Sequence, residues 1–185
     1  MNNLSKEEIY ELLSNPIIQQ ILLDILDDDI NGFNVLETLM EITEVSDDEI
    51  SRHLDLKLNT VRKLLYKLYD ARLVDYTREK DEETNWYSYT WRATFKKLPI
   101  VARKKMEEML KEFKEQLKIE ENTMFFQCKS CDFRCPFDYA MDIGFRCVQC
   151  GNSLEEYDNR KDIEFLKKQI KIIEEELKLN PLLSS

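Results

Sequence analysis

Apolar residues at positions 17, 18, 21, 22, 25 and 26 share one broad helical face of IIQQILLDILDDD, and Asn15 with Pro16 supplies a cap and a first-turn proline. Asn31 and Gly32 read as the end of that helix. Val35 to Ile42, VLETLMEI, predicts a second helix with Val35, Leu36, Leu39 and Met40 turned inward. Ser46 and Glu49 have the spacing of a capping box and start a short helix carrying Ile50 and Leu54. After a turn over Asp55 to Leu58, Asn59 is expected to cap TVRKLLYKLYD, whose Val61, Leu64, Leu65 and Leu68 make one stripe. Two short helices joined by a tight turn predict a helix-turn-helix.

The period then changes. Arg72 to Thr77, RLVDYT, and Trp86 to Arg92, WYSYTWR, read as strands flanking a charged loop, REKDEETN, so a hairpin follows the helices and the unit is a winged helix. In the second strand Trp86, Ser88 and Thr90 alternate with Tyr87, Tyr89 and Trp91, which gives each face of the ribbon an aromatic set. One set packs on the helices, and the other is left for solvent or a ligand. From Pro99 to Glu121, Ala102, Met106, Leu110, Phe113 and Leu117 form a stripe opposite interleaved Lys and Glu, which predicts a stiff linker helix. Met124 to Phe126 reads as a strand. Beyond Arg160, apolar residues at 163, 166, 170, 173 and 177 alternate steps of three and four, a seam of about two heptads. That is too short to stand alone. It must dock on the linker helix, a second copy or another protein, with docking inside the chain the first choice.

The fold class is therefore mainly α with small β elements. Its parts are a winged helix-turn-helix domain (1–95), a long linker helix (96–122), a zinc ribbon (123–158) and a C-terminal amphipathic helix (159–185).

The ribbon rests on cysteine spacing. Cys128/Cys131 and Cys147/Cys150 are two CxxC pairs separated by fifteen residues. Each pair lets one tight turn present two thiolates to the same ion, and the spacer brings the turns together around it. Gly151 suits such a turn, being free to take a positive φ and point its amide at sulfur, and Asp132 holds the matching place after the first pair. One structural zinc ion is the expected cofactor, with iron in the same cage as the rival. An odd total of five cysteines and no apolar leading segment speak against a disulfide framework. Cys135 reads as a buried or spare thiol, or as a replacement for Cys131. A closed four-cysteine site leaves no position for water, so no catalysis is expected at it.

Charge narrows the function. Of the net −10, residues 1–95 carry twenty Asp/Glu against ten Lys/Arg, and residues 96–185 carry seventeen of each. An acidic domain repels phosphate over most of its surface. Lys57, Arg62, Lys63 and Lys67 still offer a basic edge on the second helix of the motif, either for DNA or as an ordinary solvated face. Trp86, Tyr87, Tyr89 and Trp91 are the candidate base-stacking residues, with packing on the helices as the other reading. His53, the single histidine, reads as a surface residue. With no glycine-rich phosphate loop and the cysteines committed to metal, no enzyme is expected. No apolar run approaches the roughly eighteen residues of a membrane span, so the chain reads as soluble and cytoplasmic, with no membrane partner.

In order along the chain, LNTVRKLLYKLYDARLVDYTREKD, WYSYTW and CKSCDFRCPFDYAMDIGFRCVQCGNSL resemble archaeal transcription factor E, the counterpart of the alpha subunit of eukaryotic TFIIE. Phe137, Asp138, Ala140, Phe145 and Gly151 fit the family's ribbon. The chain departs from it in lacking a proline inside the first CxxC pair and in placing Cys135 where an aromatic is common. The resemblance implies a basal factor that joins RNA polymerase in the preinitiation complex and assists promoter melting. It places the wing near the melted non-template strand and the ribbon against the polymerase clamp and stalk. TATA-binding protein and a second factor subunit are further implied partners of a chain that is itself a monomer. An acidic winged helix rich in aromatics suits protein docking and single-strand contact better than operator recognition. The alternative is a winged-helix regulator that binds duplex DNA as a dimer.

Overall fold

Side-chain caps set where the first helices begin. In the computed structural model, which describes residues 4–80, 82, 85 and 87–183, Ser5 and Glu8 form a capping box ahead of α1 (Lys6–Ser14). This helix precedes the first one legible in the apolar pattern, and only the S-x-x-E spacing announces it. Asn15 accepts from the amides of Ile17 and Ile18 at the start of α2 (Pro16–Ile25). That helix ends earlier than Asn31 and Gly32. Asp27 and Asp28 take left-handed φ of 52° and 60°, while Lys67 donates to the Leu26 carbonyl (3.0 Å) and to the Asp27 carboxylate. A cation thus closes the carbonyl end of α2.

Asn31 and Gly32 instead form the first turn of α3 (Asn31–Glu41). A close approach explains the glycine, because a Cβ there would stand 2.3 Å from Leu26 Cδ1. Met40, expected inward, is half-buried; Thr38 is buried in its stead, its hydroxyl donating to the Asn34 carbonyl at 2.9 Å. A two-residue strand, β1 (Val45–Ser46), leads into α4 (Asp47–Leu54), capped by Ser46 and Glu49 as the spacing predicts. Asp55 turns the chain with φ of 50°. The next helix, α5 (Leu58–Asp70), starts before Asn59, so Asn59 lies inside it and the boundary residue Lys57 makes no side-chain cap. Val61, Leu64, Leu65 and Leu68 are fully buried.

The hairpin of β2 (Val74–Lys80) and β3 (Tyr87–Ala93) pairs Val74 with Ala93 through to Lys80 with Tyr87. Arg78, Glu79 and Lys80 belong to the strand and not to a loop, because ladder pairing continues through them whatever their charge. β1 lies on the other side of β3, giving the order β1-β3-β2 and completing a winged helix.

Two compact units result, Met1–Lys105 with Asn180–Ser185, and Met106–Leu179. The helix α6 (Leu98–Asn122) is unbroken across residues 105 and 106. In the first unit a 3-10 turn over Pro181–Leu183 buries Leu183, whose carbonyl accepts from Arg103 at 2.8 Å. In the second, β4 (Phe125–Gln127) is the centre of a three-stranded sheet between β5 (Arg134–Pro136) and β6 (Glu155–Tyr157). A short helix, α7 (Phe137–Asp142), follows β5, and α8 (Arg160–Leu179) closes the unit. Lys114 meets Glu174 at 2.5 Å and Glu121 meets Lys167 at 2.6 Å. Numbers that rise on one helix fall on the other, so α8 docks antiparallel on α6, inside the chain. Of its repeat, Leu166 and Ile173 are buried and Ile163, Ile170 and Leu177 half-buried. Among the described residues, no helix is long and apolar enough to cross a membrane.

Candidate metal centre and nucleic-acid interface

Two turns of the same construction carry the cysteine pairs. After the first, the Asp132 amide donates to the Cys128 carbonyl at 2.9 Å; after the second, the Gly151 amide donates to the Cys147 carbonyl at 2.8 Å. Both residues have positive φ, 56° and 77°. Glycine takes that conformation without cost, and aspartate tolerates it. The Gly151 amide therefore serves a carbonyl, contrary to the expectation that it points at sulfur; the amide on Cys147 Sγ is that of Gln149, at 3.4 Å.

The four sulfurs meet. Cys128 and Cys150 are 3.4 Å apart, Cys131 and Cys147 3.3 Å, Cys131 and Cys150 3.5 Å, and all four sulfurs lie within 4.8 Å of one another. Four thiolates bound tetrahedrally at about 2.3 Å stand about 3.8 Å apart, so the cage has the size of one zinc ion. The four thiols ionise unequally, since neighbouring S–H groups help Cys128 and Cys147 to lose a proton while Cys131 and Cys150 are held protonated. A hydrogen bond from the Ser130 amide helps lower Cys128 to about 7. Cys131, despite a hydrogen bond from the Phe133 amide that lowers it, is pushed up to about 12 by the Cys147 sulfur, by burial and by the Cys150 sulfur. A divalent cation at the centre would relieve that conflict. Cys135 stands outside the cage. It pairs with Phe126 across β4 and β5, is buried among Cys128, Ala140, Cys147 and Leu154, and burial raises its pKa.

A second cluster in this unit gave no sign in the sequence. Arg134 donates to Glu120 (2.5 Å) and Asp162 (3.4 Å), and its guanidinium lies 3.9 Å from the centre of the Phe125 ring and 4.4 Å from that of Tyr157. Glu120 is only 6% exposed and also accepts from the Asn159 amide at 2.8 Å. One arginine thus joins α6, all three strands of the sheet region and the start of α8, through partners 14 and 28 residues away in the chain.

On the wing, the aromatic face runs from core to solvent. Trp91 is 1% exposed, edge-on to Tyr66 (5.6 Å) and tilted against Tyr76 (5.0 Å). Tyr89 is half-buried beside Tyr76, and Tyr87 is 49% exposed with the Arg78 guanidinium 4.5 Å from its ring centre. No base can reach Trp91, so it leaves the set of stacking residues; Trp86 lies outside the described residues. Trp91 Nε1 is buried without a hydrogen-bond partner. Trp91→Phe removes that donor and keeps an aromatic ring, so its stability should stay within about 1 kcal/mol of the parent in urea unfolding, against a loss of about 3–5 kcal/mol for Trp91→Ala. Equal losses in the two variants would show that the indole is needed for more than its bulk.

The basic edge is smaller than its residue count. Arg62 donates to the buried carboxylate of Asp47 at 2.6 Å, tying α5 to the start of α4, and Lys67 is held at the end of α2. Lys57 and Lys63 are exposed on this edge, and so is His53 on α4.

Comparison with known proteins adds the family. The family model described as TFIIE alpha subunit matches residues 16–122. Transcription factor E of Methanococcus aeolicus is 72% identical over 173 residues, covering 94% of this chain and 100% of that protein. The protein of the same name from Methanococcus maripaludis is 58% identical over 174 residues, 94% of this chain and 99% of that one. That from Pyrococcus horikoshii is 39% identical over 155 residues, 82% and 81% of the two chains.

Proposed function

Because this chain belongs to the TFIIE alpha subunit family and is a transcription initiation factor, we propose that it joins RNA polymerase in the preinitiation complex and assists promoter melting. In this reading the wing lies near the non-template strand and the ribbon seats on the polymerase clamp and stalk. Cys128, Cys131, Cys147 and Cys150 would hold one zinc ion, which supplies charge and a cross-link between two turns. With four thiolates the shell is closed, and the role is structural.

The observation that carries the wing's part is Tyr87. It is the described aromatic of β3 most exposed to solvent, and the Arg78 guanidinium covers one region of its ring. A base stacked there gains about 1–3 kcal/mol with little regard to sequence. A duplex footprint is disfavoured by the acidic surroundings and by the internal pairing of Arg62 and Lys67. The wing alone therefore binds DNA weakly, and polymerase supplies the strand at high local concentration.

Tyr87→Ala should slow opening of an ordinary promoter by about fivefold or more, the rate equivalent of one lost stack. On a template already melted the same variant should act nearly as the parent. A folded Tyr87→Ala that opens the ordinary promoter at the parent rate would remove the wing from melting. Capture of polymerase subunits from cell extract by the tagged chain tests the docking half separately, and retention of an isolated duplex at moderate salt would favour the rival reading as a DNA-binding regulator.

A further inference from the structure

The outer surface of α8 carries an apolar stripe that its packing on α6 does not use. Phe165 is 57% exposed, Ile172 38% and Leu179 73%. Their spacing is seven residues, so the three side chains share one line about 21 Å long on the helix. The ion pairs from α8 to α6, through Lys167 and Glu174, leave from the opposite flank of the helix. Isolated exposed apolar residues are ordinary on a protein surface, but a heptad line of three on one helix is the pattern of a seam.

The charges of the helix indicate what covers it. Apart from Lys167 and Glu174, which face α6, residues 160–171 carry four Lys/Arg against two acids, and residues 172–179 carry two Glu against one Lys. A helix with a basic first half and an acidic second half complements itself when a second copy lies antiparallel, and repels itself when the copy lies parallel. We infer that the stripe of Phe165, Ile172 and Leu179 is a self-association surface on which α8 of a second copy of this chain packs antiparallel.

A two-fold axis beside Ile172 sets Phe165 against Leu179 of the second copy, and brings Lys168, beside the stripe, toward Glu175 of the second copy. Three apolar side chains on each chain make an interface smaller than the roughly 1,000 Å² of a stable complex. The dimer is accordingly weak and forms with rising concentration. The free protein in concentrated solution thus departs from the monomer implied by the family resemblance.

Sedimentation equilibrium of the full chain from about 1 µM to about 1 mM tests this. The expected course is a monomer mass at the low end that moves to a dimer mass at the high end. Ile172→Asp, checked for folding by its thermal melt, should raise the dissociation constant by at least about tenfold. Lys168→Glu should weaken the dimer, and Lys168→Glu with Glu175→Lys in the same chain should restore it, because the swapped pair still meets its opposite across the axis. This exchange uses two exposed positions, and so reads the interface even if Ile172→Asp does not fold. A monomer mass at every concentration would overturn the inference and leave the stripe to a different protein. A dimer indifferent to Ile172→Asp, or a double variant weaker than Lys168→Glu alone, would overturn it as well.

Discussion

Cys147→Ser should lose the metal and unfold the ribbon while the winged helix keeps its melting behaviour. The buried cluster of the ribbon consists of Cys128, Cys135, Ala140, Cys147 and Leu154, with Phe126, Phe133, Ile143 and Phe145 packed against it. Two of the five buried residues belong to the proposed ligand set, so little apolar surface is left to hold the two turns once the ion is gone. A segment of this size does not fold on such a core. Zinc binding in small zinc peptides supplies about 10–16 kcal/mol at neutral pH, which exceeds the whole stability of most domains. With thiolates as the proposed ligands, falling pH should protonate them and release the ion, and a strong chelator should have the same effect as the substitution.

Metal analysis of the parent should give one zinc per chain. Hydrogen exchange followed by mass spectrometry should show peptides from residues 124–157 losing protection in Cys147→Ser, with peptides from α3 to β3 unchanged. Cys135→Ser separates the two ligand sets: it should keep its zinc, since Cys135 stands outside the cage. Full zinc in Cys147→Ser together with loss in Cys135→Ser would show that the ion sits elsewhere in the ribbon.

Arg134→Ala should be the most destabilising change in this unit outside the cysteines. Its removal deprives the Glu120 carboxylate, 6% exposed in the parent, of its cation, with the Asn159 amide left as a side-chain donor on it. Breaking a buried pair on one side commonly costs about 3–5 kcal/mol; because Arg134 is itself 27% exposed at the side chain, the lower part of that range applies. The change also empties the space between the Phe125 and Tyr157 rings. Arg134→Lys keeps the charge but loses the planar fork that reaches Glu120 and Asp162 while lying on two rings, so it should recover less than half of the loss. Exchange protection of β4, β5 and the first turns of α8 in the full chain measures the effect, and protection in Arg134→Ala equal to the parent's would reduce the cluster to a surface ion pair. Loss of zinc in Arg134→Ala is not expected, since the cysteine turns are closed by their own backbone bonds.

Local patterns were enough for much of this protein. The capping box of Ser46 and Glu49, the stripe of Val61, Leu64, Leu65 and Leu68, and the two CxxC turns are all decided within a few residues. In the cap and the turns the atoms that meet are neighbours in the chain, so spacing alone states the contact, and the stripe needs only the helical period. Even the seam of α8 was legible, because its period implies a partner surface without naming it.

What the spacing left open was decided by distance in space. Tyr87, Tyr89 and Trp91 look alike along β3, yet burial falls from the helices outward, so one is core, one half-buried and one exposed. Lys67 and Arg62 look like a basic edge until Asp27 and Asp47, 40 and 15 residues away, close upon them. Gly32 looks like a helix breaker until Leu26 is seen to fill the place of a side chain. Arg134 carries no pattern at all, since its partners lie on two helices and two other strands. A charge or an aromatic ring takes its role from what the folded chain brings to its side, and that neighbour is set by packing and not by position in the sequence.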